Sequence, residues 1–367
     1  MKEKIYFKNL NGLRFIAASF VIICHIELLK KYFQINNFRE QTKYLGELGV
    51  DLFFVLSGFL ITFLLLKEKE VFQKINYKAF YLRRILRIWP LYYIIVILSL
   101  FIVPNLNVFN IPFLNNDIDS KSDVFYVIIL FVLMLPNVLY FLKPIQYATQ
   151  TWSIGVEEQF YLIWPFVINK TKKYKTIFIC IILLYWLLYF VFKLPLFNDL
   201  TYIDLIRNFY NIFKIDVLTI GSIAAILLFE NNSIIHKIVN IKIFVLCLLL
   251  LLFFYLSHNL FVERIIYSVL FSIVILNLVR LKSLSNALEF KMLNYLGQIS
   301  YGIYMYHGFI ILLVMKFLMK FNYLNNILLY ILSFLFTIIA SSLSYKYIEK
   351  PFLKLKLKFS YFENEKK

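Results

Sequence analysis

The chain has 367 residues, 61% of them hydrophobic, with mean hydropathy +0.75 and a formal net charge of +18. Soluble domains are closer to one-half apolar. Apolar runs recur here from one end to the other, which excludes a soluble enzyme with a single anchor and predicts a lipid bilayer as solvent. In a soluble protein the charge would suggest nucleic acid; at this hydropathy it is read as Lys and Arg gathered in cytoplasmic loops, and no nucleic-acid partner is expected.

Eleven apolar segments follow in chain order, at roughly 12–29, 48–66, 85–103, 124–142, 154–169, 176–192, 215–229, 241–257, 261–279, 300–318 and 327–345. Each approaches the length of about 20 residues that crosses a bilayer, so the expected fold is all-α, a polytopic transmembrane helix bundle. The start is basic and then apolar, like a signal peptide. The apolar run continues to Leu29 without a small-residue cleavage site, so it reads as a retained first span. Lys2, Lys4 and Lys8 precede that span. The loop from Lys67 to Arg87 has seven basic residues against two acidic, the stretch Lys170 to Lys175 has four basic and none acidic, and the tail from Lys346 has seven basic and three acidic. All four are expected in the cytoplasm, and the acidic loop with Asp117, Asp119 and Asp123 outside. Segments 124–142 and 154–169 must then make one crossing between them. The second, which opens TWSIGVEEQFY, is the expected re-entrant or protein-buried one, because adjacent Glu157 and Glu158 are costly in lipid and tolerable beside a polar cavity. The result is about ten spans plus one partial segment, with both termini cytoplasmic. A transmembrane domain over 1–352 and a short polar tail over 353–367 are expected.

Ionisable residues inside spans are functional candidates by default. Arg14 and His25 share the first segment eleven residues apart, about 16 Å along a helix and about 20° apart in rotation, so both point from one face. The plain alternatives are a snorkelling arginine and a packing histidine. Asp51 stands at the mouth of the second span in GVDLFFVLSGFLI, either orienting a histidine, pairing with an arginine, or as an ordinary interfacial acid. In RRILRIWPLYY, Arg84 and Arg87 lie at i and i+3 and share a face. Two forked guanidiniums suit a phosphate-rich ligand, against the alternative of a positive-inside cluster. In LGQISYGIYMYHGF, Tyr301, Tyr304 and His307 step by three along one helix side, or form an aromatic interfacial belt.

Together these segments resemble the acyltransferase-3 family of bacterial membrane acyltransferases. The matching elements are NGLRFIAASFVIICH with its Arg-ten-His spacing, GVDLFFVLSGFLI, RRILRIWPLYY, TWSIGVEEQFYLIWP, KIDVLTIGSIAA, LGQISYGIYMYH and the terminal EKP. They run in the family's order over nearly the whole chain. The resemblance implies a bacterial cytoplasmic-membrane protein with a ten-span core that moves an acyl group, usually acetyl, from cytoplasmic acyl-CoA to a hydroxyl of a surface glycan or glycolipid. Acetyl-CoA or another acyl-CoA is then a donor substrate, with no permanently bound cofactor and no metal. The resemblance makes His25 the essential histidine and Arg14 its partner. It places Arg84 and Arg87 on the CoA phosphates and adds Trp152, Glu157 and Glu158 as a further motif. Lys214-Ile215-Asp216 stands where relatives carry Arg-x-Asp, so the bidentate fork is lost and no binding role is expected of Lys214. Some relatives carry an extracytoplasmic hydrolase-like domain, which this chain, ending soon after Pro351, is expected to lack.

The expected mechanism has neutral His25 taking the acceptor hydroxyl's proton as it attacks the thioester, with Asp51 or Glu157 orienting the ring and Arg14 either donating to the oxyanion or holding the donor. A transient acyl-His25 is the two-step variant. Tyr301 joins Arg84, Arg87 and Trp152 as a donor-binding candidate. The rival reading is a transporter or flippase of an envelope precursor.

Overall fold

The structure, a computed structural model, describes residues 5–112, 121–171, 173–198, 200–257 and 263–359. Lys2, Lys4, Asp117, Asp119, His258 and the end of the tail lie outside them. The helices, in chain order, are α1 (Leu10–Tyr32), α2 (Arg39–Phe72), α3 (Tyr77–Ile97), α4 (Lys121–Val132), α5 (Pro136–Leu142), α6 (Trp152–Lys170), α7 (Tyr174–Lys193) and α8 (Ile203–Ile212). They continue with α9 (Ile215–Phe229), α10 (Ser233–Ile238), α11 (Ile241–Ser257), α12 (Glu263–Arg280), α13 (Lys291–Gln298), α14 (Ser300–Lys320), α15 (Asn326–Ser344) and α16 (Lys350–Lys356). No strand occurs among the described residues.

Seven of these helical stretches are long and apolar enough to cross a bilayer: Leu10–Tyr32, Arg39–Phe72, Tyr77–Asn105, Tyr174–Lys193, Ile203–Phe229, Ser300–Lys320 and Asn326–Phe359. Each carries one of the apolar segments read from the sequence. Shorter apolar helices accompany them, including Ile241–Ser257. The protein is therefore a multi-pass helical membrane bundle.

Segment 154–169, the expected protein-buried one, is not among the stretches long and apolar enough to cross, and 124–142 is broken in two. Segment 154–169 lies in the unbroken 19-residue α6, whereas 124–142 splits into α4 and α5 around Met134, which takes φ 57°. The cause is Pro136, which opens α5. A proline disfavours α geometry in the residue before it, so the first helix stops and a new one starts. Lys69 donates to the carbonyls of Ile168 (2.8 Å), Asn169 (2.9 Å) and Thr171 at the end of α6. That bond brings the end of α6 beside the end of α2, so α4 to α6 together return the chain to the end where α3 began. At this same end Arg83 donates to the carbonyl of Phe359 at 2.9 Å and to Glu68 at 2.8 Å. The basic stretches after α2, after α6 and after α15 thus meet at one end of the bundle.

α2 is the central helix, packed between α1 and α9 and against α6 and α12. Two glycines set how closely α2 and α9 approach. A Cβ on Gly58 would lie 1.9 Å from the Leu218 carbonyl oxygen, and one on Gly221 would lie 2.2 Å from that of Val55. Backbones this close depend on residues without side chains, the usual route to tight helix association in lipid. Ser222 Oγ adds a bond across the seam to the Gly58 carbonyl at 3.2 Å. Gly297 does the same for α13, where a Cβ would lie 2.0 Å from the Asn11 carbonyl oxygen at the start of α1. These contacts hold α1, α2, α9 and α13 as a rigid frame around the site.

Candidate active site

A cavity of about 660 Å³ lies among α1, α2, α3, α6, α13, α14 and the turn after α15. That is within the range of roughly 300–1,000 Å³ usual for ligand sites. Its wall includes Arg14, Arg84, Arg87, Glu157, Tyr161, Tyr301, Tyr304 and Glu349.

The arginines reach it by local helix geometry. Asn76 caps α3, its side chain accepting from the Ala79 N–H at 3.0 Å, which satisfies one of the helix's free donors. The register this fixes puts Arg84 and Arg87 one turn apart on the cavity wall, while Arg83, one residue round, turns away to its ion pair with Glu68. The Arg84 guanidinium lies over the Phe80 ring at 5.8 Å and the Tyr161 ring at 5.7 Å, a cation–π arrangement. Its Nε is buried without a hydrogen-bond partner. Arg87 forms no hydrogen bond or ion pair with a described residue. Arg14 donates from Nη1 to Asn11 Oδ1 at 3.0 Å. The three guanidiniums share one space and keep unused donors, which suits an anion with several oxygens.

Glu157 faces the same space, and the Ser57 and Tyr161 hydroxyls line it together with Arg84 and Arg87. Ser57 and Tyr161 also hydrogen-bond each other. Glu349, in the π turn that joins α15 to α16, is buried and accepts from Ser344 at 3.4 Å. Near the mouth, Tyr6 donates to Glu289 Oε2 at 2.9 Å, and burial together with that carboxylate pushes the Tyr6 phenol up to about 12. The Tyr301 hydroxyl donates to the Ile88 carbonyl at 2.9 Å, tying α14 to the turn of α3 that carries Arg87. Tyr304 lines the cavity on the side nearer the histidine pair His25 and His307. Its hydroxyl donates to the Gln150 carbonyl at 2.9 Å and meets Ser153 Oγ at 2.8 Å.

His25 lies outside this wall. It is partly exposed, its Nδ1 bonds the Val21 carbonyl at 2.8 Å, and its ring stands edge-on to that of His307, centroids 4.7 Å apart. His307 in turn lies 5.9 Å from Tyr304, ring to ring. The face of α1 that carries both Arg14 and His25 therefore runs from the cavity, past the layer of Tyr304, to the histidine pair.

Asp51 is engaged elsewhere. It accepts from Lys214 Nζ at 2.7 Å, and Asp216 pairs with Arg264 at 3.1 Å. These four charges form a buried knot between α2, α9 and α12. They belong to the frame, not to the His25 ring, and Lys214 supplies the charge without a fork. Glu158 accepts from Trp89 Nε1 at 3.4 Å, and its Oε1 is buried without a partner. Trp152 packs on Phe54 and Tyr140 at centroid distances of 6.0 and 6.1 Å. Asp51, Glu158 and Trp152 are all absent from the cavity wall. The site thus unites Arg14, Arg84, Arg87, Glu157 and Tyr301, and leaves His25, Asp51, Glu158 and Trp152 outside its lining.

Sequence reasoning missed Tyr161 beneath Arg84 and the contact of His25 with His307. The first had a signal, since Tyr161 is at i+4 from Glu157 and so shares its face. The second had none, because it joins helices 282 positions apart in sequence.

Fold and site define a multi-pass membrane protein enclosing a guanidinium-lined cavity. A family model described as an acyltransferase domain matches residues 7–346, and the chain belongs to that family, acyltransferase-3. It is 31% identical to the peptidoglycan O-acetyltransferase OatA of Listeria monocytogenes, over 95% of this chain and 56% of that protein. It is 29% identical to the O-acetyltransferase OatA of Staphylococcus aureus, over 99% of this chain and 60% of the relative. A putative O-acetyltransferase of Staphylococcus aureus is also 29% identical, over 96% of this chain and 58% of the relative. The chain spans 56% to 60% of the length of these relatives. No solved structure matches the chain significantly.

Proposed function

We propose that the protein transfers an acetyl group from acetyl-CoA to a hydroxyl of a bacterial cell-envelope glycan, with peptidoglycan the first acceptor to test. The observation that carries the reading is the meeting of Arg14, Arg84 and Arg87 in one cavity. Neutral ligands have no use for three guanidiniums; the phosphates of CoA do. The cavity opens among the basic stretches that the loop-charge rule assigns to the cytoplasm, where acyl-CoA is found. In this reading the membrane is the cytoplasmic one, and both termini are cytoplasmic.

Arg84 and Arg87 hold the CoA phosphates, and Tyr301 keeps the α3 turn beneath them in place. Glu157, on the same cavity wall, limits the excess positive charge of the cavity when no anion is bound. The acyl arm passes the Tyr304 layer towards His25. The bond from His25 to the Val21 carbonyl assigns the ring's tautomer. A carbonyl oxygen only accepts, so Nδ1 carries the proton and Nε2 keeps its lone pair. Nε2 then takes the acceptor hydroxyl's proton. The C–O bond forms, the C–S bond breaks, and the imidazolium returns the proton to the departing CoA thiolate.

The test is ester-linked acetate released from envelope glycan of cells expressing the wild type or His25→Ala at matched membrane levels. Acetate with the wild type and none with the variant is expected. Equal acetate in both removes His25 as the base. An envelope transporter, the rival reading, has no acyl-CoA site, so the absence of acyl-CoA binding by the purified wild type would favour it.

A further inference from the structure

The chain has four tryptophans, and one of them is unlike the rest. Trp164 donates from its indole N–H to Thr62 Oγ1 at 2.7 Å, Trp89 donates to Glu158 at 3.4 Å, and the N–H of Trp186 is occluded. Trp152, half-buried at the start of α6, keeps an N–H that is accessible and has no hydrogen-bond partner among the described residues. A donor left open within a helix bundle is costly unless a ligand or water takes it.

The Trp152 ring is held in a definite attitude. Phe54, which lines the cavity, meets it edge-on with centroids 6.0 Å apart, and Tyr140 of α5 leans on it at 6.1 Å with the planes 52° apart. Tyr140 is 39% exposed, and its hydroxyl too has no partner among the described residues. The two rings form an angled platform with two unused polar tips. A lipid tail has no use for such tips. A pyranose ring matches both features, because its C–H face packs on aromatic rings and its oxygens bond the N–H and the hydroxyl.

The platform is also in the right place. Tyr140 stands three residues before Lys143, which pairs at 3.0 Å with Asp123 in the first turn of α4. Loop charge assigns that turn to the outer side, opposite the basic mouth of the cavity. Ser153, next to Trp152 in the chain, meets the Tyr304 hydroxyl at 2.8 Å. Tyr304 in turn lies 5.9 Å from His307, and His307 lies 4.7 Å from His25. Trp152 and His25 thus both adjoin the Tyr304 layer, and both stand outside the cavity wall.

We propose that Trp152 and Tyr140 form the acceptor-sugar subsite, packing on the face of one pyranose ring of the glycan and hydrogen-bonding its oxygens through the indole N–H and the phenol hydroxyl. The inference rests on the acyl-transfer reading above, and it moves Trp152 from the donor to the acceptor. The subsite acts on acceptor binding alone, so it is read in the acceptor KM and not in the KM for acetyl-CoA.

The experiment uses the full chain purified in lipid nanodiscs, with acetyl-CoA as donor and soluble glycan strands cut from peptidoglycan as acceptor, and follows release of CoA thiol. Trp152→Phe and Tyr140→Phe keep a ring and remove one polar tip each. Each is expected to raise the acceptor KM by about 2- to 10-fold, the worth of one neutral hydrogen bond. Tyr140→Ala removes half the platform from an exposed position and should raise it by about 30-fold, as for a truncated aromatic anchor. In all three the KM for acetyl-CoA should stay at the wild-type value, and in the two Phe variants the thermal midpoint should hold. An unchanged acceptor KM in Trp152→Phe and Tyr140→Ala overturns the proposal, whatever the midpoint does, because the rings then serve packing or lipid headgroups. A raised KM for acetyl-CoA overturns it as well and returns Trp152 to the donor. If the wild type releases no CoA thiol, the acyl-transfer reading falls and this inference with it; an active wild type with indifferent variants overturns the inference alone.

Discussion

Gly58→Ala tests the frame on which the site is built. The added Cβ would stand 1.9 Å from the Leu218 carbonyl oxygen, where ordinary contact begins at 3.4 Å, so α2 and α9 must separate by about 1.5 Å. Separation opens the reciprocal contact of Gly221 with the Val55 carbonyl and stretches the Ser222 bond, already 3.2 Å long. Overpacking costs about 1–3 kcal/mol, and an interhelical hydrogen bond in a membrane protein contributes about 0.6 kcal/mol on average. The expected loss is about 3 kcal/mol. At about 2 °C or more per kcal/mol, the thermal midpoint should fall by roughly 6 °C, read by fluorescence-detected gel filtration after heating detergent-solubilised protein. Gly308→Ala is the control. Its Cβ would meet only the Tyr147 ring, at 3.9 Å, and alanine is the better helix former by about 1 kcal/mol, so its midpoint should hold or rise. Ser57, beside Gly58, lines the cavity, and Gly58→Ala should therefore weaken acyl-CoA binding as well. Equal midpoints for the two variants would refute the account of a glycine-set seam.

Three further outcomes are expected. Arg84→Ala and Arg87→Ala should each weaken acyl-CoA binding by about 10- to 100-fold, the worth of one charge-assisted contact of roughly 1.5–3 kcal/mol, as measured by calorimetry on nanodisc protein. Arg83→Ala should leave that affinity unchanged and lower the thermal midpoint, because Arg83 pairs with buried Glu68 outside the cavity; weakened binding there would show that the cavity has been assigned to the wrong face of α3. Lys214→Ala should destabilise by about 3–5 kcal/mol, since it leaves Asp51 buried and unpaired, and Asp51→Asn in the same chain should recover most of the loss in the heating assay. Lack of recovery would separate the two residues energetically.

The solvent of this protein, its helical class and most of its spans were legible in its apolar runs, because a bilayer demands about 20 consecutive apolar residues and such runs are local. The sequence also placed Arg84 and Arg87 on one face, since a helix makes i and i+3 neighbours wherever it sits. Asp51 and Glu157 looked alike in sequence, two acids at the edges of apolar runs. Tertiary structure separated them, sending one to Lys214 in the frame and the other to the cavity. The interruption at Met134 was hidden by an apolar run that continues through 124–142, because hydropathy does not register where a helix stops. Arg14 and His25 share a helix face, yet only the packing of α14 across α1 decided that the first borders the cavity and the second meets His307. Helical periodicity is written in the spacing of residues, whereas the neighbour a buried side chain finds across the bundle depends on which helix packs there and at what height.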